Sequence, residues 1–261
     1  MKICRVRYGT VVRYGELRDG SVALFPAHWQ IGDPIDPAHM TDDVPVEDAE
    51  FLVPVEPSKI VCVGRNYAKH AEELNNPLPE EPLLFLKAPS ALITEGEPIR
   101  IPAQSEQVEH EGELAFVIGR MCWSVGPNEN PLSYVFGYLP ANDVTARDLQ
   151  RKDVQFTRAK SFDSFCPVGR TIQTDASVSD VRVTTTVNGE LRQEGRTSEM
   201  IFDIGYLIRY ISEQMTLNAG DLVLTGTPAG VSRILEGDVC VVDIEGIGRL
   251  SNPVTTIETS F

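Results

Sequence analysis

Apolar and polar positions follow two different periods along this chain. Short β-type runs occupy Val6 to Val12 and Glu16 to Phe25, around Gly15 and the Asp19-Gly20 turn. Lys59 to Gly64 reads as a buried strand, and Leu83 to Lys87 and Glu113 to Gly119 read as further strands. Tyr67 to Leu74 fits a short helix stopped by Asn75-Asn76-Pro77. Arg182 to Val187 and Glu190 to Glu194 flank Asn188-Gly189, whose residues accept the positive φ angles of a tight hairpin turn. Ile201, Ile204, Ile208, Ile211 and Met215 recur at spacings of three and four, which predicts one amphipathic helix beginning at Thr197-Ser198. Val223 to Thr225 and Val239 to Glu245 return to strand. These elements predict an α+β, β-rich fold with few helices. Without regular βαβ alternation, a doubly wound sheet and a TIM barrel are excluded.

One stretch breaks the pattern. Ile31 to Pro57 holds five prolines and eight acids, and no Lys or Arg stands between Gly20 and Lys59. Proline density disfavours long helices and central strands, so this stretch reads as an extended connector. It divides the chain into a small N-terminal β domain over 1–55 and a larger domain over 56–261.

Charge and cysteine usage narrow the function. The chain has 261 residues, with 23 Lys+Arg against 38 Asp+Glu and a formal net charge of −15. Such a surface repels phosphate backbones and anionic lipid, so neither nucleic acid nor membrane is an expected partner. No apolar run approaches the ~18 residues of a span, and no apolar segment follows the basic N-terminus. Cys4, Cys62, Cys122, Cys166 and Cys240 are scattered without a CxxC pair, as in reduced cytoplasmic proteins.

Several residues invite chemistry. Glu111 and Glu113 share one face of a strand by its period of two. They read either as a solvated strand end or as oxygen ligands for Mg2+ or Mn2+. Asp143, ending the apolar run Val135 to Ala141, reads as a helix N-cap for Val144 onward or as a third ligand. His70 and Glu73 lie three apart on a helix and form either a surface pair or an oriented general base. Lys160 and Lys87 each read as exposed lysines or as desolvated cations that stabilise an anion. Thr225 to Val231 is glycine-rich but fits no nucleotide loop; its N–H groups and Thr227 suit a small carboxylate.

Six segments occur in a fixed order: Gly64 to Glu73 (GRNYxxHxxE), Phe85 to Lys87 (FxK), Glu111 to Ala115 (ExELA), Asn142 to Gln150 (NDVTARDxQ), Lys160 to Gly169 (KSFDxFCPxG) and Thr225 to Val231 (TGTPxGV). Together they resemble the fumarylacetoacetate hydrolase family from about Ser58 to about Pro253, and the smaller acylpyruvase, oxaloacetate decarboxylase and dienedioate isomerase members fit the length best. The resemblance implies a mixed β-roll, a homodimer, and one Mg2+ or Mn2+ held by Glu111, Glu113 and Asp143. It implies His70, Glu73 and Lys160 as catalytic residues, and Arg65, Tyr67, Lys87, Arg147, Gln150 and Thr227 as substrate-binding ones. Lys87 departs from the pattern in that Ala88 follows it where the family commonly has proline. The implied activity is metal-dependent hydrolysis of a C–C bond in acylpyruvate-type (1,3-diketo acid) substrates through a metal-bound enolate. The alternatives are isomerisation or tautomerisation of 2-hydroxy-dienedioates or oxaloacetate, and oxaloacetate decarboxylation.

Overall fold

A computed structural model describes residues 1–40, 43–73 and 77–257. Its main sheet runs in the order Asp43–Pro45, Ser21–Leu24, Val11–Leu17, Lys2–Tyr8, Thr171–Gln173, Val135–Asn142, Gly112–Ile118, Leu222–Leu224, Ile60–Gly64 and Leu83–Lys87, with Glu50–Leu52 also pairing to Lys2–Tyr8. A second sheet orders Glu190–Arg196, Arg182–Val187, Val239–Ile244, Gly248–Thr256 and Ile99–Ile101. Three short strands, Thr145–Ala146, Val108–His110 and Ser232–Arg233, form a third. The fold is thus β-rich and mixed, with four α-helices among the described residues.

The central strands are apolar without interruption because both faces of the main sheet are covered. Leu114, Phe116 and Ile118 point into one core, with Val61, Val63 and Val223. Ala115 and Val117 point into the other, with Ile60, Cys62, Leu222 and Leu224. The helix Ile204–Gln214 closes the first core with Ile204, Leu207, Ile208 and Ile211. No helix among the described residues is long and apolar enough to cross a membrane. All five cysteines are buried and unpaired.

Several sequence expectations shift. The first strand begins at Lys2, so the chain turns at Gly9-Thr10, and Gly15 lies inside Val11–Leu17. The acidic stretch is not a plain connector: Asp43–Pro45 pairs with Ser21–Leu24, and Glu50–Leu52 pairs with Lys2–Tyr8. Proline is tolerated there because Asp43–Pro45 is an edge strand, where a missing N–H leaves no ladder bond unmade. Lys2–Tyr8 also pairs with Thr171–Gln173, which joins the first 55 residues to the main sheet. The amphipathic helix starts at Ile204, not at Thr197. Asp203 caps it by accepting from the Tyr206 N–H at 2.7 Å, whereas Thr197–Glu199 is a single 3-10 turn. The short helix before the acidic loop spans Ala68–Glu73; its expected Asn75-Asn76 stop lies outside the described residues.

Candidate active site

Chain reversals at the ends of the central strands bring the six motifs to one cavity of about 330 Å³. Its lining includes Arg65, His70, Phe85, Glu111, Glu113, Asp143, Arg147, Gln150, Lys160 and Thr227. Glu111 stands between Val108–His110 and Gly112–Ile118, and the Asn142 side chain accepts from its N–H at 2.9 Å. Asp143 follows Val135–Asn142 and donates its own N–H to the Glu111 carbonyl at 2.8 Å. Asp143 is no N-cap: the next helix, Arg147–Asp153, begins four residues later, and its carboxylate faces the cavity.

Glu111, Glu113 and Asp143 are all buried, and one oxygen of each lies within 4.8 Å of the others. Glu113 is placed by Gly226, whose N–H donates to Glu113 Oε2 at 2.7 Å. Gly226 sits at φ +98°, and a Cβ there would lie 2.7 Å from Asn66 Cβ, so only glycine brings this N–H so close.

Three cations meet these carboxylates, and a fourth, Arg151, lines the same cavity. Lys160 Nζ donates to Glu111 Oε2 and Asp143 Oδ2, both at 2.7 Å. Lys87 Nζ donates to Asp143 Oδ1 at 2.6 Å and to the Val144 carbonyl. The Arg147 guanidinium donates to Glu111, to Glu109 Oε2 at 2.8 Å and to Gln150 Oε1 at 2.7 Å. Arg151 lines the mouth and donates to Gln107 Oε1.

The electrostatics follow from burial and pairing. Burial opposes ionisation of Glu111, but Lys160 and Arg147 outweigh it and hold its carboxyl below the usual range. Glu113 has no ion-pair partner among the described residues; burial, then repulsion from Asp143 and Glu111, raises its carboxyl well above that range. The donor set therefore fits a hard divalent cation: three buried carboxylates, one of them without a cationic partner.

His70 is buried on the helix Ala68–Glu73, and its Nδ1 lies 3.4 Å from Glu73 Oε2. Burial lowers its pKa from 6.5. Both Glu73 oxygens also accept from the Gly230 N–H at 3.1 Å, which ties this helix to the glycine-rich segment. Phe85 and Phe156 meet edge to face at 5.4 Å, and Lys160 Nζ lies 5.0 Å from the Phe85 ring centre. One wall is thus apolar and aromatic.

Two expected substrate-binding residues do not line the cavity. The Lys87 side chain is 0 % exposed and serves Asp143 from behind the wall. Tyr67 is buried, and its backbone bridges to Met200. Arg65, Arg147, Gln150 and Thr227 do line it. Two residues outside the six motifs support the site. Glu109 grips Arg147 and accepts from Gln107 at 2.6 Å; the run Glu109, Glu111, Glu113 carried that signal at period two. Gln193, from the hairpin strand Glu190–Arg196, reaches Gly112 and Thr227. Nothing local in its strand marked it.

Known proteins resemble the chain in sequence and in fold. Residues 59–255 match the family described as fumarylacetoacetate (FAA) hydrolase C-terminal. A mitochondrial oxaloacetate tautomerase of Bos taurus is 45% identical over 194 residues, covering 72% of this chain and 87% of that one. The crystal structure of a 2-hydroxyhepta-2,4-diene-1,7-dioate isomerase from Mycobacterium marinum is 41% identical, with a TM-score of 0.87, and the match covers 98% of both chains. A fumarylacetoacetate hydrolase from Exiguobacterium antarcticum is 38% identical, with a TM-score of 0.86, over 98% of this chain and 100% of that one. With most of its length matched and its buried acidic triad built on the matched segment, the chain belongs to the fumarylacetoacetate hydrolase family.

Proposed function

We propose that this protein catalyses keto–enol tautomerisation of an oxaloacetate-type 2-oxo acid, using Mg2+ or Mn2+ held by Glu111, Glu113 and Asp143. The observation that carries the reading is that a buried imidazole paired with a carboxylate, His70, and a buried ammonium, Lys160, line the same cavity as the acidic triad. The names of relatives such as the Bos taurus tautomerase support the substrate class. When bound, the cation supplies Lewis acidity to an anionic oxygen of the substrate.

The chain's own residues do the rest. Glu73 accepts from His70 Nδ1–H, which leaves Nε2 as the basic atom. Nε2 takes a proton from C3 of the 2-oxo acid, and the C–H electrons form the C2=C3 bond as O2 becomes negative. Lys160 contributes positive charge beside that oxygen. The imidazolium then returns a proton to O2, and the enol leaves with unchanged mass. Phe85 and Phe156 keep this wall of the cavity apolar, which strengthens these charge interactions.

A second reading is hydrolysis of an acylpyruvate, with His70 activating water. The direct His70–Glu73 contact favours it, because a carboxylate partner raises imidazole basicity. Acetylpyruvate and freshly dissolved enol-oxaloacetate, each with Mg2+, separate the two. Accelerated loss of enol absorbance at constant mass supports tautomerisation. Release of pyruvate and acetate from acetylpyruvate would move the assignment to hydrolysis.

A further inference from the structure

Four cationic side chains line the cavity, and three are engaged. Lys160 is held by Glu111 and Asp143, Arg147 by Glu109, Glu111 and Gln150, and Arg151 by Gln107. Arg65 is the exception: among the described residues its guanidinium has no hydrogen bond and no ion pair, and the residue is half-buried. Its backbone lies at φ +58°, a region that a long side chain occupies only at a cost. The following residue holds it there. Asn66 is buried, its amide donates to the carbonyls of Phe202 and Thr225, and its oxygen accepts from the Phe202 N–H. A strained, locked backbone thus presents an uncommitted guanidinium to a cavity whose other cations face protein acceptors.

From this we infer that Arg65 receives the second carboxylate of the substrate, so that the cavity selects 2-oxo dicarboxylates over monocarboxylates. The inference rests on the reading above, in which the cavity takes an oxaloacetate-type 2-oxo acid. A guanidinium matches a carboxylate with two parallel N–H···O bonds, and Lys or Gln cannot reproduce that fork. The apolar rings of Phe85 and Phe156, which line the same cavity, suit the carbon chain of such a substrate.

Malate and lactate provide the test, because malate is lactate with one added carboxylate and neither needs to react. Calorimetric titration of the Mg2+-loaded full chain is expected to show malate binding about 10-fold or more tightly than lactate. Arg65→Gln is expected to bring malate down to the lactate affinity and leave lactate unchanged. Arg65→Gly, which suits the positive φ and so keeps the fold, should behave alike. Absence of preference in the wild type, its survival in both variants, or an equal loss for both ligands would overturn the assignment. Arg65-dependent malate preference without oxaloacetate tautomerisation would instead sink the proposed reaction and leave the Arg65 assignment standing.

Discussion

Gln193 Nε2 donates to Thr227 Oγ1 at 2.7 Å, and Thr227 Oγ1 in turn donates to the Gly112 carbonyl at 2.8 Å. Gln193 is 0 % exposed, and its oxygen accepts from the Gly112 N–H and lies 3.0 Å from His110 Nδ1. One side chain therefore clamps Gly112, the strand residue between Glu111 and Glu113, to the glycine-rich segment. Gln193→Leu keeps the volume but leaves several buried polar groups unmatched. It is expected to cost about 1–3 kcal/mol in urea unfolding and to weaken Mg2+ binding measured by calorimetry.

Glu113 carries the unmatched charge of the triad. Glu113→Gln removes the repulsion from Asp143 and Glu111 while keeping an oxygen for the Gly226 N–H. The metal-free protein should melt at the same temperature or higher. The wild type should gain stability with added Mg2+ as RT ln(1 + [L]/Kd), and the variant should lose that gain. Differential scanning calorimetry with Mg2+ and with chelator checks both arms.

On the proposed mechanism, the acid limb of the pH profile is expected to report His70. Only the neutral imidazole accepts a proton, and burial, the largest influence on it, shifts its pKa down from 6.5. Activity should therefore fall only as pH drops below 6.5 and be level through neutrality. His70→Ala should lower kcat by about 10²–10⁴ and abolish the limb. A limb lying above pH 7 would assign it to another group.

The position of Lys87 predicts a structural role. It is buried, and its ammonium meets Asp143 at 2.6 Å. Lys87→Met leaves Asp143 one cation short in the interior, and a loss of about 3–5 kcal/mol in chemical denaturation is expected. A loss in substrate affinity at unchanged stability would return Lys87 to the binding wall.

Much of this was legible in the residues, and the gaps have physical causes. The stripe Ile204, Ile208, Ile211 marks its helix because the core reads that face. Its start was misplaced because the Thr197 hydroxyl bonds the Val178 carbonyl and the Val181 N–H, serving a tertiary contact that looks like a cap in sequence. Gly248–Thr256 hides because its inward position between Leu250 and Val254 is the polar Asn252, buried by donating to the Thr94 and Glu97 carbonyls. The acidic triad, His70 and Lys160 were visible as motif residues. Gln193 was not, because its partners Gly112 and Thr227 are remote in sequence and one of them contributes its backbone N–H.

The pairing of Ile3 with Ile172 sets a timetable for assembly. As the ribosome releases the chain, Lys2–Tyr8 finds Val11–Leu17 at once and forms a local hairpin. Glu50–Leu52, which pairs with Arg5 to Arg7, follows early, but Thr171–Gln173, which pairs with Lys2 to Cys4, emerges only after the strand that carries Glu113 and the run that ends beside Asp143. The entropy of closing so long a loop grows only with the logarithm of its length, so the delay is one of time more than of free energy. Until then the Lys2 to Cys4 stretch of that edge stays open to any passing strand, and a nascent chain stalled before residue 171 is where intermolecular pairing should begin.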